Sequence, residues 1–171
     1  MLGREAPLTH VETGNIAPRF SLKGLDGQQY ALTSLLDRGP VVLAFFKISC
    51  PVCQFTLPFL QRISERYAGK GISVIGISQD DARDTQEFNQ DFGVKFPTLP
   101  DDEGYPVSGA YGLTNVPTLF LLAPDGTVKV SCVGFDKAVL EAIANELAQH
   151  QRISSMPLFR PDEIVPTHKL G

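Results

Sequence analysis

Val41 to Phe46 reads Val-Val-Leu-Ala-Phe-Phe, six apolar residues without a break, and four residues later the chain reads Cys50-Pro51-Val52-Cys53. Alternate residues of a strand point to opposite faces, so a strand apolar throughout needs both faces covered. The run therefore predicts a central strand of a sheet flanked by helices. From Pro51 onward, Phe55, Phe59, Ile63 and Tyr67 recur every four residues, one stripe on a helix that stops near Gly69 and Gly71. The cysteine pair thus falls at a strand-to-helix junction.

The same reading extends along the chain. Ile72 to Ser78 is a second β-branched strand, and Asp80 to Gly93 is a helix with Phe88 and Phe92 on one face. The intervening crossover implies parallel strands. Phe96 to Gly112, with three prolines and three glycines, reads as a connecting insert around a short helix near Val107 to Tyr111. Thr118 to Ala123 and Thr127 to Val133 flank the turn Pro124-Asp125-Gly126 and predict an antiparallel hairpin. A closing helix carries Val139, Leu140, Ile143, Ala144 and Leu147, with Asp136 as its N-cap and Lys137 following it. The order β-α-β-α-β-β-α gives an α/β fold with a central mixed sheet and helices on both faces. Pro18 to Leu35 reads as a short hairpin around Asp26-Gly27. Ser154 to Gly171, with three prolines and no period, reads as a tail draped over the surface. Residues 1–150 are expected to form one domain and 151–171 an extension without a fold of its own.

Composition narrows the function. With 43% hydrophobic residues over 171 positions the chain can bury a full core. Fifteen basic against nineteen acidic residues give a net charge of -4 without a basic stripe, so nucleic acid is not an expected partner. No apolar run is long enough to span a membrane, and residues 1–15 show no apolar signal core, which places the expected location in the cytoplasm. Three cysteines, Cys50, Cys53 and Cys132, do not make a disulfide framework, so the three-residue spacing of two of them points to redox exchange or metal binding.

A cysteine at the end of a central strand and the head of a helix faces unpaired backbone N–H groups and the positive end of the helix dipole, an arrangement that favours thiolate. With Cys50 as N-cap, Pro51 takes the first helical position, where its missing N–H costs nothing. Cys53 then takes the third, within disulfide reach, with Pro51 and Val52 as the intervening, supporting pair. Cys50 is the expected attacking thiolate and Cys53 the resolving thiol. Two bland alternatives stand beside this: a chance pair on a buried helix face, or half a zinc site. Zinc would need two more ligands, and Cys132, His10, His150 and His168 are scattered singly. Cys132 alternates with Val128 and Val130 on one strand face and reads as core; the histidines read as ordinary surface or core residues.

Ala17-Pro18-Arg19-Phe20 with Asp26-Gly27, the stretch Phe45 to Cys53, and Val116-Pro117-Thr118 ahead of Pro124-Asp125-Gly126 together resemble the thioredoxin-like superfamily, and within it redoxins of the TlpA/ResA and AhpC/TSA type. The likeness spans about residues 14 to 149. It implies a thioredoxin-like fold, a cis bond before Pro117 lying against the active-site disulfide, and a Val116 backbone that pairs with the substrate chain. Pro58, eight residues after Cys50, matches the family's helix-kinking proline.

Two departures from the family matter. The buried acid that shuttles protons in such proteins lies six residues before or six after the first cysteine, and here Ala44 and Thr56 occupy those positions. Lys47, the nearest charge in sequence, is expected to be exposed. Peroxidases of the peroxiredoxin type carry a proline seven residues and a hydroxyl residue three residues before their reactive cysteine; Leu43 and Lys47 stand there instead. The leading expectation is a cofactor-free thiol-disulfide oxidoreductase that exchanges Cys50–Cys53 with protein disulfides or dithiols and with an electron-donating or electron-accepting redox partner. The alternatives are a thiol peroxidase and a redox-inactive binding module.

Overall fold

A computed structural model describes residues 10–171; the first nine residues of the segment read above for a signal core lie outside the described range. Five strands form the central sheet: β3 (Val41–Phe46), β4 (Ser73–Ser78), β5 (Thr98–Pro100), β6 (Thr118–Leu122) and β7 (Val128–Val133), in the order β5-β4-β3-β6-β7. Strand β3 pairs parallel with β4 and antiparallel with β6; β5 pairs parallel with β4, and β7 antiparallel with β6. The predicted mixed sheet with a terminal hairpin is therefore present.

All six residues of β3 are buried, and their alternation divides the core. Val42, Ala44 and Phe46 face a cluster shared with α2 (Pro51–Tyr67), α3 (Ala82–Phe92) and α5 (Lys137–Gln151). Val41, Leu43 and Phe45 face a second cluster with α1 (Leu32–Arg38) and α4 (Pro106–Ala110), where Tyr111 stacks 5.0 Å from Phe45. The unbroken apolar run needs both layers. Helix α3 starts on the Asp81 side chain, which accepts from Asp84 N–H at 2.8 Å, and α5 starts on Asp136, as expected.

Three readings of the sequence change. The insert Phe96–Gly112 contains the edge strand β5, whose three residues carry too little pattern to stand out. The hairpin around Asp26-Gly27 consists of β1 (Ser21–Lys23) and β2 (Gln29–Ala31) and ends at Ala31, because Leu32 and Leu35 belong to α1 and are buried beneath it. Residues 154–171 do more than drape over the surface. Leu158 and Phe159 are buried, and each such burial contributes on the order of 1.5–3 kcal/mol. Arg62 on α2 reaches Glu163 at 2.7 Å, holding its carboxyl below the usual range, and β9 (His168–Lys169) pairs antiparallel with β8 (Phe135–Asp136). No described helix is long and apolar enough to cross a membrane.

Candidate active site

Strand β3 leaves the middle of the sheet at Phe46, and a four-residue turn closed by Cys50 N–H donating to Lys47 O at 3.2 Å delivers Cys50 to the head of α2. Cys50 has extended backbone angles, φ -86° and ψ 114°, and is the N-cap; Pro51 opens the helix. The Cys53 N–H donates to the Cys50 sulfur at 3.1 Å. Sulfur thus fills the place that an oxygen side chain fills in most helix caps, facing donors that the helix itself cannot satisfy.

The two thiols sit in unlike surroundings. Cys50 is half-buried and Cys53 is completely enclosed, and all three cysteines of the chain are free thiols. Burial pushes the Cys53 thiol far above its ordinary value, and its contact with Cys50 adds to the effect, as does the more distant charge of Asp80; the Lys47 backbone pulls the other way. One thiol is reachable and the next is held protonated behind it, which is the arrangement a two-step exchange uses.

Opposite Cys50 the chain returns at Val116–Pro117, joined by a cis bond. The Cys50 thiol donates to the Val116 carbonyl at 3.5 Å. Pro117 is buried, whereas Val116 and Val52 are half-buried against the same cluster as Cys50. The structure therefore brings Cys50, Cys53, Val116 and Pro117 together, with Pro51 exposed at the helix start. Lys47 points to solvent. Cys132 lies apart on β7, buried, with its thiol pushed up to about 11 by desolvation and by the Asp136 charge. Among the described residues no three His, Cys, Asp or Glu side chains are grouped to hold a metal.

Ala44 and Thr56, the positions where an acid is absent, are both fully buried, and the Thr56 hydroxyl turns back to the Val52 carbonyl at 2.7 Å. A carboxylate reaches the region from elsewhere. Asp80, just past the end of β4, accepts from Ile48 N–H at 2.8 Å and so pins the turn that presents Cys50. Gln54 holds the same turn from the helix side, donating to Ile48 O at 3.0 Å. No local motif marks Asp80. Its position follows only from the parallel register Phe46↔Ser78, which sets the ends of β3 and β4 side by side.

Comparison with known proteins agrees with this geometry. The AhpC/TSA family profile matches residues 13–131. The chain is 30% identical over 125 residues to thiol-disulfide oxidoreductase ResA of Bacillus thuringiensis (strain Al Hakam), covering 72% of this chain and 71% of that protein. Among solved structures it is similar to MTB dsbF, determined in mixed oxidized and reduced forms, with TM-score 0.67 and 29% identity over 77% of this chain and 98% of that one. It is similar also to peroxidoxin BcpB from Mycobacterium tuberculosis, with TM-score 0.67 and 26% identity over 85% of this chain and 100% of the other. Since the matched region runs through both the cysteine pair and the Val116–Pro117 step, the chain belongs to the AhpC/TSA family, as one of its TlpA/ResA-type redoxins.

Proposed function

We propose that the protein is a thiol-disulfide oxidoreductase working through Cys50 and Cys53 on protein disulfides or dithiols, in turn with a second redox partner. The observation that carries this reading is the hydrogen bond from Cys53 N–H to the Cys50 sulfur, made between a half-exposed thiol and a fully buried one. In the reducing direction, Cys50 thiolate attacks one sulfur of a partner disulfide and releases the other as thiolate. The mixed disulfide is then opened by Cys53, which gives up its proton, bonds to the Cys50 sulfur and expels the partner's second thiolate. Two electrons pass to the partner, and Cys50–Cys53 becomes a disulfide; the reverse sequence oxidises a dithiol. Val116 and Pro117 would flank the entering sulfur. Similarity to ResA and to dsbF supports the reaction class.

Cys53→Ser is expected to accumulate mixed disulfides with client proteins, seen as reductant-sensitive bands, whereas Cys50→Ser accumulates none; equal trapping by both variants would reverse the assigned roles. Peroxidase activity, for which the likeness to peroxidoxin BcpB speaks, has less support at the site. Leu43 is a buried apolar residue and Lys47 an exposed cationic one, so neither offers a hydroxyl to a peroxide held at Cys50. Oxidation of Cys50 by hydrogen peroxide no faster than that of a free thiol would remove it.

A further inference from the structure

The Val116 carbonyl oxygen has two neighbours. On one side it accepts from the Cys50 thiol at 3.5 Å. On the other it meets Gly171, packed so closely that a Cβ there would run into this oxygen and would come within 3.2 Å of Pro117 Cδ. Asn115 Nδ2 fixes the contact by donating to Gly171 O at 3.1 Å.

Upstream, the tail is led to this point by backbone contacts. Lys137 N–H donates to Thr167 O at 2.9 Å, and His168 and Lys169 pair with Asp136 and Phe135. Lys169 O then lies against Gly134, where a φ of 79° and the lack of a Cβ make room for it. The Lys169 ammonium stands 4.7 Å from the centre of the ring of Phe55, which lies just past Cys53 on α2. Residues 167–171 thus run from the head of α5 to the Val116–Pro117 step as an extended segment beside Cys50.

This segment is lightly held. Residues 166–171 are exposed, Leu170 at 87%, and beyond Val165 no side chain of the tail enters the core. What holds it is a few backbone hydrogen bonds, the one from the Asn115 side chain to Gly171 O and one cation over a ring, the kind of attachment that opens well below the global unfolding free energy. The Val116 N–H has no backbone partner among the described residues, so an extended chain laid along the same edge would find a donor free.

We propose that residues 167–171 form a strap that determines substrate class in the exchange reaction. Seated, the strap takes the place of an extended polypeptide beside Cys50 and leaves the half-exposed thiol to small disulfides; lifted, it opens the edge to protein segments. The proposal rests on the exchange reaction assigned above. Reaction with a polypeptide is then slowed by the fraction of molecules in which the strap is lifted, whereas reaction with a small disulfide is not.

The test separates the strap from the chemistry. In the chain of 171 residues, Thr167→Gly, His168→Ser, Lys169→Gly and Leu170→Ser together keep the length and remove the side chains; Lys169→Ala is a milder second variant. Alkylation of Cys50 in the reduced protein is timed with iodoacetamide and with an extended octapeptide carrying an iodoacetyl group. The expected result is a rise of about fivefold or more with the peptide reagent for the fourfold variant, a smaller rise for Lys169→Ala, and a change of less than about twofold with iodoacetamide. Rates that move in parallel for the two reagents, or do not move, overturn the strap. Disulfide exchange with glutathione disulfide and with an oxidised protein is measured alongside. If neither is faster than a free thiol's for wild type or variant, the exchange reaction itself fails, while the alkylation ratio still decides whether the strap occludes Cys50.

Discussion

The heads of α2 and α5 are built alike. In each, a residue with extended backbone angles accepts a hydrogen bond from the N–H three residues on: Cys53 to the Cys50 sulfur at 3.1 Å, and Val139 to the Asp136 carboxylate at 3.1 Å. They differ in the atom that accepts and in what brings it there. Asp136 is the last residue of the two-residue strand β8, and its carboxylate serves the helix as an acceptor only. Cys50 follows the central strand β3, buried along its whole length, and its acceptor is an atom that can also form and break a covalent bond. The same orphan donors are therefore structural at one helix and available to chemistry at the other, because only one cap can trade its hydrogen bond for an S–S bond.

Replacing each cap should expose this difference. The largest effect is expected from Cys50→Ser: disulfide exchange falls to background in a turnover assay while the unfolding free energy stays within about 1 kcal/mol, since serine is a good N-cap. A stability loss well beyond that would mean that the Cys50 sulfur is chiefly structural.

An intermediate effect concerns pH. In the unfolded chain, thiols ionise near pH ~8.5. In the folded chain burial holds both Cys53 and Cys132 protonated, Cys53 with the added contact of Cys50 and Cys132 with the charge of Asp136. Their contribution is intact below about pH 8.5 and is lost as pH rises from there through the raised folded values. Thermal melts of the reduced protein should therefore fall through the alkaline range, and Cys53→Ala and Cys132→Ala should each flatten the decline. A decline of unchanged slope in both would show that other groups cause it.

The smallest effect is expected at the other cap. Asp136→Ala removes one side-chain cap and should cost about 1 kcal/mol, a fall of about 2–4 °C in Tm for a chain of this length, read by calorimetry. If instead Cys50→Ser lowers Tm more than Asp136→Ala does, the contrast between the two helix heads is wrong.

What could be read from the sequence follows how local each signal is. The head of α2 was legible because strand end, cap, Pro51 and the apolar stripe from Phe55 to Tyr67 all lie within one stretch of chain, and the paired burial of β3 was written into six consecutive residues. The cap at Asp136 and the β6–β7 hairpin were legible for the same reason. The features that escaped are made by distant partners. Strand β5 exists because Gly76 to Ser78 offers an edge to Thr98 to Pro100. Asp80 meets Ile48 across 32 positions, and Phe159 packs on the ring of Phe59 in α2, far earlier in the chain. Helix α1 escaped for a different reason: it has seven residues and no side-chain cap, so only the burial of Leu32 and Leu35 distinguishes it.

The seat of Gly171 against Val116 has a practical consequence for handling this protein. Any residues joined after Gly171, whether a purification tag or a fluorescent reporter, emerge at the mouth of the cysteine pair rather than at a remote face. A bulky affinity tag attached there would stand beside Cys50 and compete with an approaching substrate for that place, for reasons unrelated to folding.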